Sequence, residues 1–155
     1  MTTAHTPQQL DQAGIAARIP HAGSMCLLQA LRGWDAQQIH CQASSHRDAN
    51  HPLREAQGLS SASAIEYAAQ AMALHGGLLA PPGSTPSAGY IASVRGVVLH
   101  QPWLHDAPSP LDVRAQRLAG DERQVMYQFS VADAQGRSLA EGRATVVLNT
   151  PLPAG

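Results

Sequence analysis

Residues 60–75 constrain this chain most: Ser-Ser-Ala-Ser-Ala-Ile-Glu-Tyr-Ala-Ala-Gln-Ala-Met-Ala-Leu-His, with neither glycine nor proline. Alanine, leucine, methionine and glutamate are strong helix formers, the serines supply caps, and Gly76-Gly77 supplies a stop. Past the first turn, Glu66 and Gln70 are the polar exceptions on an apolar circumference. A helix apolar all round presents no face to water, so the rest of the chain must cover it. Its many alanines let a covering sheet come close to its axis.

The flanking segments read as that sheet. Residues 25–34 are mostly apolar, and in residues 38–45 Ile39, Cys41 and Ala43 alternate with polar neighbours, so two strands joined by a short turn are expected. Residues 46–58 are polar, carry Pro52 and Gly58, and read as a loop. After a Pro/Gly/Ser-rich loop at 81–87, four more strands are expected over 89–100, 111–118, 123–132 and 138–148. The last two are joined through Asp133-Ala134-Gln135-Gly136, a hairpin signal. Thr6-Pro7 reads as a cap and first helical residue for a short helix over 7–17. The resulting order is short helix, two strands, one buried helix, four strands: an α+β arrangement in which a curved antiparallel sheet wraps one long central helix.

A length of 155 residues suits one domain with one core. The expected organisation is an N-terminal segment at 1–17, a domain at 18–150 and a tail at 151–155. Ten basic residues, all arginine, against eleven acidic ones give a formal charge of −1, which argues against a broad nucleic-acid-binding surface. No apolar run approaches the roughly 20 residues that span a bilayer, and no cation precedes Arg18 as a secretory signal would require. Cys26 and Cys41, both read on strands, suit neither a zinc site nor a redox pair by spacing. Two buried thiols in a cytoplasmic protein are expected.

Eight histidines form no metal pattern, and no phosphate loop or nucleophile elbow is present. Two residues stand out. Glu66 lies within the apolar helix, where burial would favour a protonated carboxyl able to act as a general acid. Equally, Ser63-Ala64-Ile65-Glu66 matches a capping box in which Glu66 reaches back to the Ser63 amide. His51 precedes Pro52, which biases it toward extended backbone, and lies 15 positions before Glu66. It is either a base working near neutral pH or an exposed loop histidine. His75 reads as a dipole-compatible residue at the helix C-terminus. Trp34 and Trp103 read as packing or substrate-tunnel residues.

Taken together, His51-Pro52, a short loop, and Ala64-Ile65-Glu66-Tyr67-Ala68-Ala69-Gln70-Ala71-Met72-Ala73 resemble the signature of hotdog-fold 3-hydroxyacyl-(acyl-carrier-protein) dehydratases. That family reads Gly-His-Phe-Pro, then a Pro-Gly turn, then a helix bearing Glu-Ala-Met-Ala-Gln. Ile19-Pro20-His21-Ala22-Gly23-Ser24-Met25 resembles its opening segment, and the strands after the helix extend the likeness over residues 18–148. The dehydratase subfamily of aryl polyene clusters, whose helix is similar to Ile-Glu-Tyr-Ala-Ala-Gln-Ala-Met-Ala, resembles the chain more closely. In this chain Pro52 follows His51 directly, and Ser60-Ser61 stands where the family has Pro-Gly.

The resemblance implies a hotdog dimer with active sites at its interface. His51 would remove the α-proton of a 3-hydroxyacyl thioester and Glu66 would protonate the departing hydroxyl, leaving a trans-2-enoyl thioester and water. Gln70, one turn on, would hold the Glu66 carboxyl. Backbone amides at Ser60, Ser61 and Ala62 would hold the thioester oxygen. Arg95, Arg54 and Arg47 are candidate contacts for the phosphopantetheine phosphate or an acidic carrier protein, Arg95 foremost, with ordinary surface solubility as the alternative for each. The implied partners are an acyl carrier protein and either an identical chain or a second hotdog protein. No metal or separate cofactor is expected, since the substrate carries the phosphopantetheine. Two other functions fit a hotdog fold: an acyl thioesterase, disfavoured by His51-Pro52 and Gln70, and a non-catalytic partner subunit, favoured by Ser60-Ser61.

Overall fold

In the computed structural model, residues 7–21, 23–80, 90–121 and 123–147 are described. The elements run α1 (Gln12–Ala16), β1 (Ala30–Trp34), β2 (Gln38–Ala43), α2 (Ala64–Leu79), β3 (Tyr90–Leu99), β4 (Leu111–Gly120), β5 (Gln124–Ala132) and β6 (Ser138–Val147). The six strands form one antiparallel sheet in the order β1-β2-β4-β5-β6-β3. The chain leaves β2, passes through α2 and joins the sheet again at its far edge as β3. The helix therefore lies across the sheet, and β4 to β6 fill the gap beneath it. This is the expected α+β arrangement, one long helix on a curved antiparallel sheet.

Alternation decides which side of the sheet meets the helix. Val125, Tyr127, Phe129 and Val131 of β5 are buried while Gln124, Met126 and Gln128 are exposed. Leu111, Val113 and Ala115 of β4 point the same way. Against them lie Ala64, Ala68 and Ala71 of α2, all fully buried, whose small side chains allow the close approach. Register slips at Leu31/Gly33, Arg95/Val98 and Arg117/Ala119 add curvature; the second contains Gly96 at φ 61°. The Asp133–Gly136 hairpin forms as expected. Asp133 accepts the amides of Gln135 and Arg137, and Gly136 takes the left-handed φ of 82°.

Four local expectations are corrected. The first helix begins at Gln12, not Pro7, because the Asp11 carboxylate accepts the Gly14 amide at 2.9 Å and caps it there. Residues before it run beside β1 instead: Leu10 pairs with Leu31, and the Trp34 indole donates to the Pro7 carbonyl. Thr6, the other expected cap, lies outside the described residues, as do the 81–87 loop and the 151–155 tail. Next, α2 does not stop at Gly76-Gly77 but continues to Leu79. Two interior glycines cost a helix about 1 kcal/mol each, but Leu74 and Leu78 are buried on either side and extend the packed face. At Gly77 the Arg18 carbonyl lies 3.4 Å from where a Cβ would stand.

The third correction concerns the helix start. Ser63 makes no capping bond and is already helical, and Glu66 does not reach back to it. The cap is Ser60, whose hydroxyl accepts the Ala62 amide at the head of a 3-10 turn, Ser61–Ser63, that feeds α2. A second loop is locked against this start. The Ser61 amide donates to the Pro102 carbonyl and the Leu104 amide to the Leu59 carbonyl. The Leu59 amide donates to His105 Nδ1, and the imidazole fills the space where a Cβ on Gly58 would stand.

His75 is likewise not a cap. With the helix extended past it, it is fully buried: Nδ1 accepts from the Tyr127 hydroxyl and Nε2 donates to the Asp35 carbonyl, both at 2.7 Å. Burial holds its pKa below the usual value and pushes the Tyr127 hydroxyl up to about 12. The Trp34 ring stands edge-on to His75, with centroids 6.3 Å apart.

Candidate functional site

Glu66 sits in the first turn of α2, where the helix dipole favours a carboxylate. Its Oε1 is 3.0 Å from His21 Nε2 and 3.4 Å from Gln70 Nε2. The Glu66 side chain is 33% exposed and His21 25%, so the carboxyl is hydrogen-bonded at an opening, not sealed in the core. Four residues on, Gln70 occupies the same helix face and is fully buried. Its carbonyl accepts the Leu27 amide at 2.9 Å, and its amide donates to the Met25 carbonyl at 2.6 Å as well as to Glu66. Gln70 thus pins the segment after His21 to the helix and holds the carboxyl with the same NH2 group.

His51 belongs to a different network. It is 4% exposed, which sets aside the exposed-loop reading. Its Nδ1 accepts the Leu53 amide at 3.0 Å, so in the neutral ring the proton lies on Nε2 and is donated to the Tyr67 hydroxyl, also at 3.0 Å. Tyr67 passes the chain on to Ser45 Oγ at 2.7 Å, and Ser45 donates to the Leu27 carbonyl at 2.8 Å. Every donor here points one way. Burial lowers the His51 pKa, with Asp48 opposing it, and raises that of Tyr67 to about 12. Nearby His46 is fully buried, donates from Nε2 to the Ala107 carbonyl, and is also held neutral by burial.

Among the described residues, no hydrogen bond or ion pair joins His51 to Glu66. Gln70 is brought to the carboxyl; His51 is not. Of the three amides expected to hold a thioester oxygen, Ser61 donates to the Pro102 carbonyl and Ala62 to the Ser60 hydroxyl, while that of Ser60 has no hydrogen-bond partner among the described residues. Arg47 and Arg54 reach backbone carbonyls of Ala107 and Asp48 at 3.5 Å. Arg95 is exposed on the edge strand β3, paired in register with Arg143, beside a groove of about 660 Å³ on the sheet's outer face. A second outer-face groove, about 480 Å³, runs past His40, Arg114 and Gln128. Neither groove includes Glu66 or His51. Among the described residues, no three His, Cys, Asp or Glu side chains converge as a metal site would.

Three side chains of these networks, Tyr67, Ser45 and His21, carried no expected role in the sequence. Tyr67 gave one signal, a phenol inside an apolar helix whose hydroxyl needs a partner. His21 gave none locally, since it meets Glu66 across 45 positions of chain.

The sequence matches, over residues 13–152, the family described as ApeP-like, the ApeP dehydratase. Among solved structures, the chain is similar to the dehydratase heterocomplex ApeI:P from Xenorhabdus doucetiae, at 26% identity and a TM-score of 0.78, covering 88% of this chain and 91% of that one. It is similar in fold to a mutant thioesterase of Pseudomonas aeruginosa (12% identity, TM-score 0.67, 96% and 98% covered) and to a thioesterase of Haemophilus influenzae (11%, 0.66, 94% of each). No match is found among proteins of curated function. The two thioesterase likenesses speak for the hotdog fold; the family match over nearly the whole chain speaks for the reaction class. The chain belongs to the ApeP-like dehydratase family and is a hydro-lyase of the hotdog fold.

Proposed function

We propose that this dehydratase removes water from a 3-hydroxyacyl thioester carried on the phosphopantetheine of an acyl carrier protein, giving a trans-2-enoyl thioester in fatty acid or polyene biosynthesis. The observation that carries the reading is Glu66, a carboxyl at an opening, held on one oxygen by two N–H donors in a chain of a dehydratase family. Glu66 gives a proton to the departing hydroxyl while His51 takes the α-proton; the C–H electrons become the C=C bond and water leaves. The site is composite, formed between this chain and a second hotdog chain, identical or different. The likeness to a dehydratase heterocomplex supports a different one.

Within one chain His51 is closed. For its Nε2 to accept a proton, the ring must move its own proton to Nδ1, give up the Leu53 amide, and release or reverse the Tyr67 bond. Partner docking is the step assigned to that change, and to freeing the Ser61 or Ala62 amide to join that of Ser60 on the thioester oxygen. Arg95 is the proposed contact for the phosphopantetheine phosphate or an acidic carrier surface.

The test is spectrophotometric hydration of a crotonyl thioester, on carrier protein and on coenzyme A, with the chain alone and with a hotdog partner. Glu66→Gln is expected to lose about 10²–10⁴-fold in rate, the usual worth of a positioned acid, and His51→Ala a comparable factor, with assembly intact. Thioester hydrolysis without hydration would make the protein a thioesterase, and no turnover with any partner would make it a binding subunit.

A further inference from the structure

We propose that His21 is a positioning residue for Glu66, fixing Oε1 so that Oε2 is the oxygen that carries and releases the proton. The proposal rests on the dehydratase reading above and deepens it.

His21 makes a single side-chain hydrogen bond among the described residues. Its Nε2 faces Glu66 Oε1 at 3.0 Å, while Nδ1 is buried without a partner among the described residues. Both ring nitrogens are satisfied in His75, whereas His46, like His21, leaves Nδ1 buried without a partner among the described residues and spends its one bond on a backbone carbonyl. In His21 the one bond goes to the carboxyl. With Nδ1 unpartnered, the neutral ring carries its proton on Nε2, directed at Oε1.

The surroundings fix this contact without making it part of the core. Pro20 stiffens the backbone before His21, and Gly23 turns the chain after it at φ 60°. Gln70 then anchors the Met25 carbonyl and the Leu27 amide to α2 and reaches the same Oε1. Both donors on Glu66 are therefore referenced to one rigid element, while the pair itself stays partly exposed, where a substrate can reach it.

The chemistry follows from which form the bonds favour. When Glu66 passes the Oε2 proton to the leaving hydroxyl, the C–O bond breaks, water forms, and the carboxyl becomes an anion. The bonds from His21 and Gln70 then join a neutral donor to a charged acceptor and strengthen as the reaction proceeds. No proton leaves His21, whose part is to orient the carboxyl and to stabilise its charge.

The experiment compares His21→Leu, which removes the donor, with His21→Gln, whose side-chain amide places an N–H near the position of Nε2. Steady-state hydration of a crotonyl thioester by the assembled enzyme is measured beside thermal melting and oligomeric state. His21→Leu is expected to lower kcat about 10–100-fold with KM within about twofold, and His21→Gln to recover most of that loss. Full activity in His21→Leu, or equal loss in both variants, overturns the proposal. An independent reading needs no turnover: nitrogen NMR of the histidine rings should show His21 Nε2 protonated in the wild type and displaced in Glu66→Gln. If the wild type fails on every thioester and partner, the dehydratase reading falls. An unmoved His21 signal would sink the pair itself, whatever the activity.

Discussion

The two polar networks that meet α2 are built on opposite terms. Around Glu66 the carboxyl is a third exposed and every bond it makes points toward it as an acceptor. Around His51 the ring is nearly sealed, and the bonds run in one direction from the Leu53 amide to the Leu27 carbonyl, leaving no lone pair unused at the ring. Glu66 and Tyr67 are adjacent in sequence, yet one step of about 100° around the helix sends them to different networks. In the single chain the Glu66 end is open to solvent and the His51 end is closed; on the proposed mechanism the His51 end has to open.

Substitutions can break this contrast. The largest stability effect is expected from Gln70→Ala, because it strands the buried Leu27 amide and Met25 carbonyl together, at about 1–3 kcal/mol for each group. Urea denaturation would read the loss as a lower midpoint at unchanged slope, and a variant as stable as the wild type would show that the clamp contributes no net stability. Tyr67→Phe removes one hydroxyl and leaves the His51 Nε2–H without an acceptor, a loss of about 1–3 kcal/mol by the same measurement. If Tyr67→Phe instead costs nothing and raises hydration activity, the closed network is a brake on His51.

The smallest and broadest expected effect is with pH. His46, His51 and His75 are all held below the usual 6.5 by burial. As pH falls through about 6.5 the unfolded chain takes up protons that the folded chain refuses, so folding stability drops from there downward. Above that value all three are neutral in both states and contribute no slope. Denaturation midpoints between pH 8 and 5 check it; a flat profile would mean that the rings are not kept neutral.

The fold was legible where periodicity is strong. The apolar circumference of α2 and the alternation of β2, β4 and β5 each demand one burial pattern, and the hairpin at Asp133–Gly136 carries its own turn chemistry. The margins of elements were less legible, because two local signals competed and tertiary packing chose. Thr6-Pro7 offered a helix start that the Asp11 cap displaced, the serines at 60–63 all offered caps, and the Gly76-Gly77 stop was overridden by burial of Leu78. In the site, the resemblance implied the pairing of Glu66 with Gln70, and their four-residue spacing puts them on one helix face. The His21 contact was not legible, since it depends on how the chain folds back over α2 after Arg18. The closed state of His51 was hidden for the same reason: it depends on Tyr67 and Ser45, which no spacing rule connects.

The chain's two tryptophans turn out to sit beside histidines in different parts of the molecule. Trp34 stands edge-on to the buried His75, and Trp103 lies 5.6 Å from His105 at the loop locked onto the start of α2. A protonated imidazole quenches indole emission far more than a neutral one, so Trp34 is a built-in optical gauge of the His75 ring. Trp34 reports whether the core still excludes protons; Trp103, with Trp34 replaced by phenylalanine, reports on the loop beside Ser60 and Ser61. Fluorescence can therefore follow a docking partner at the helix start separately from any loosening of the core, with no label added.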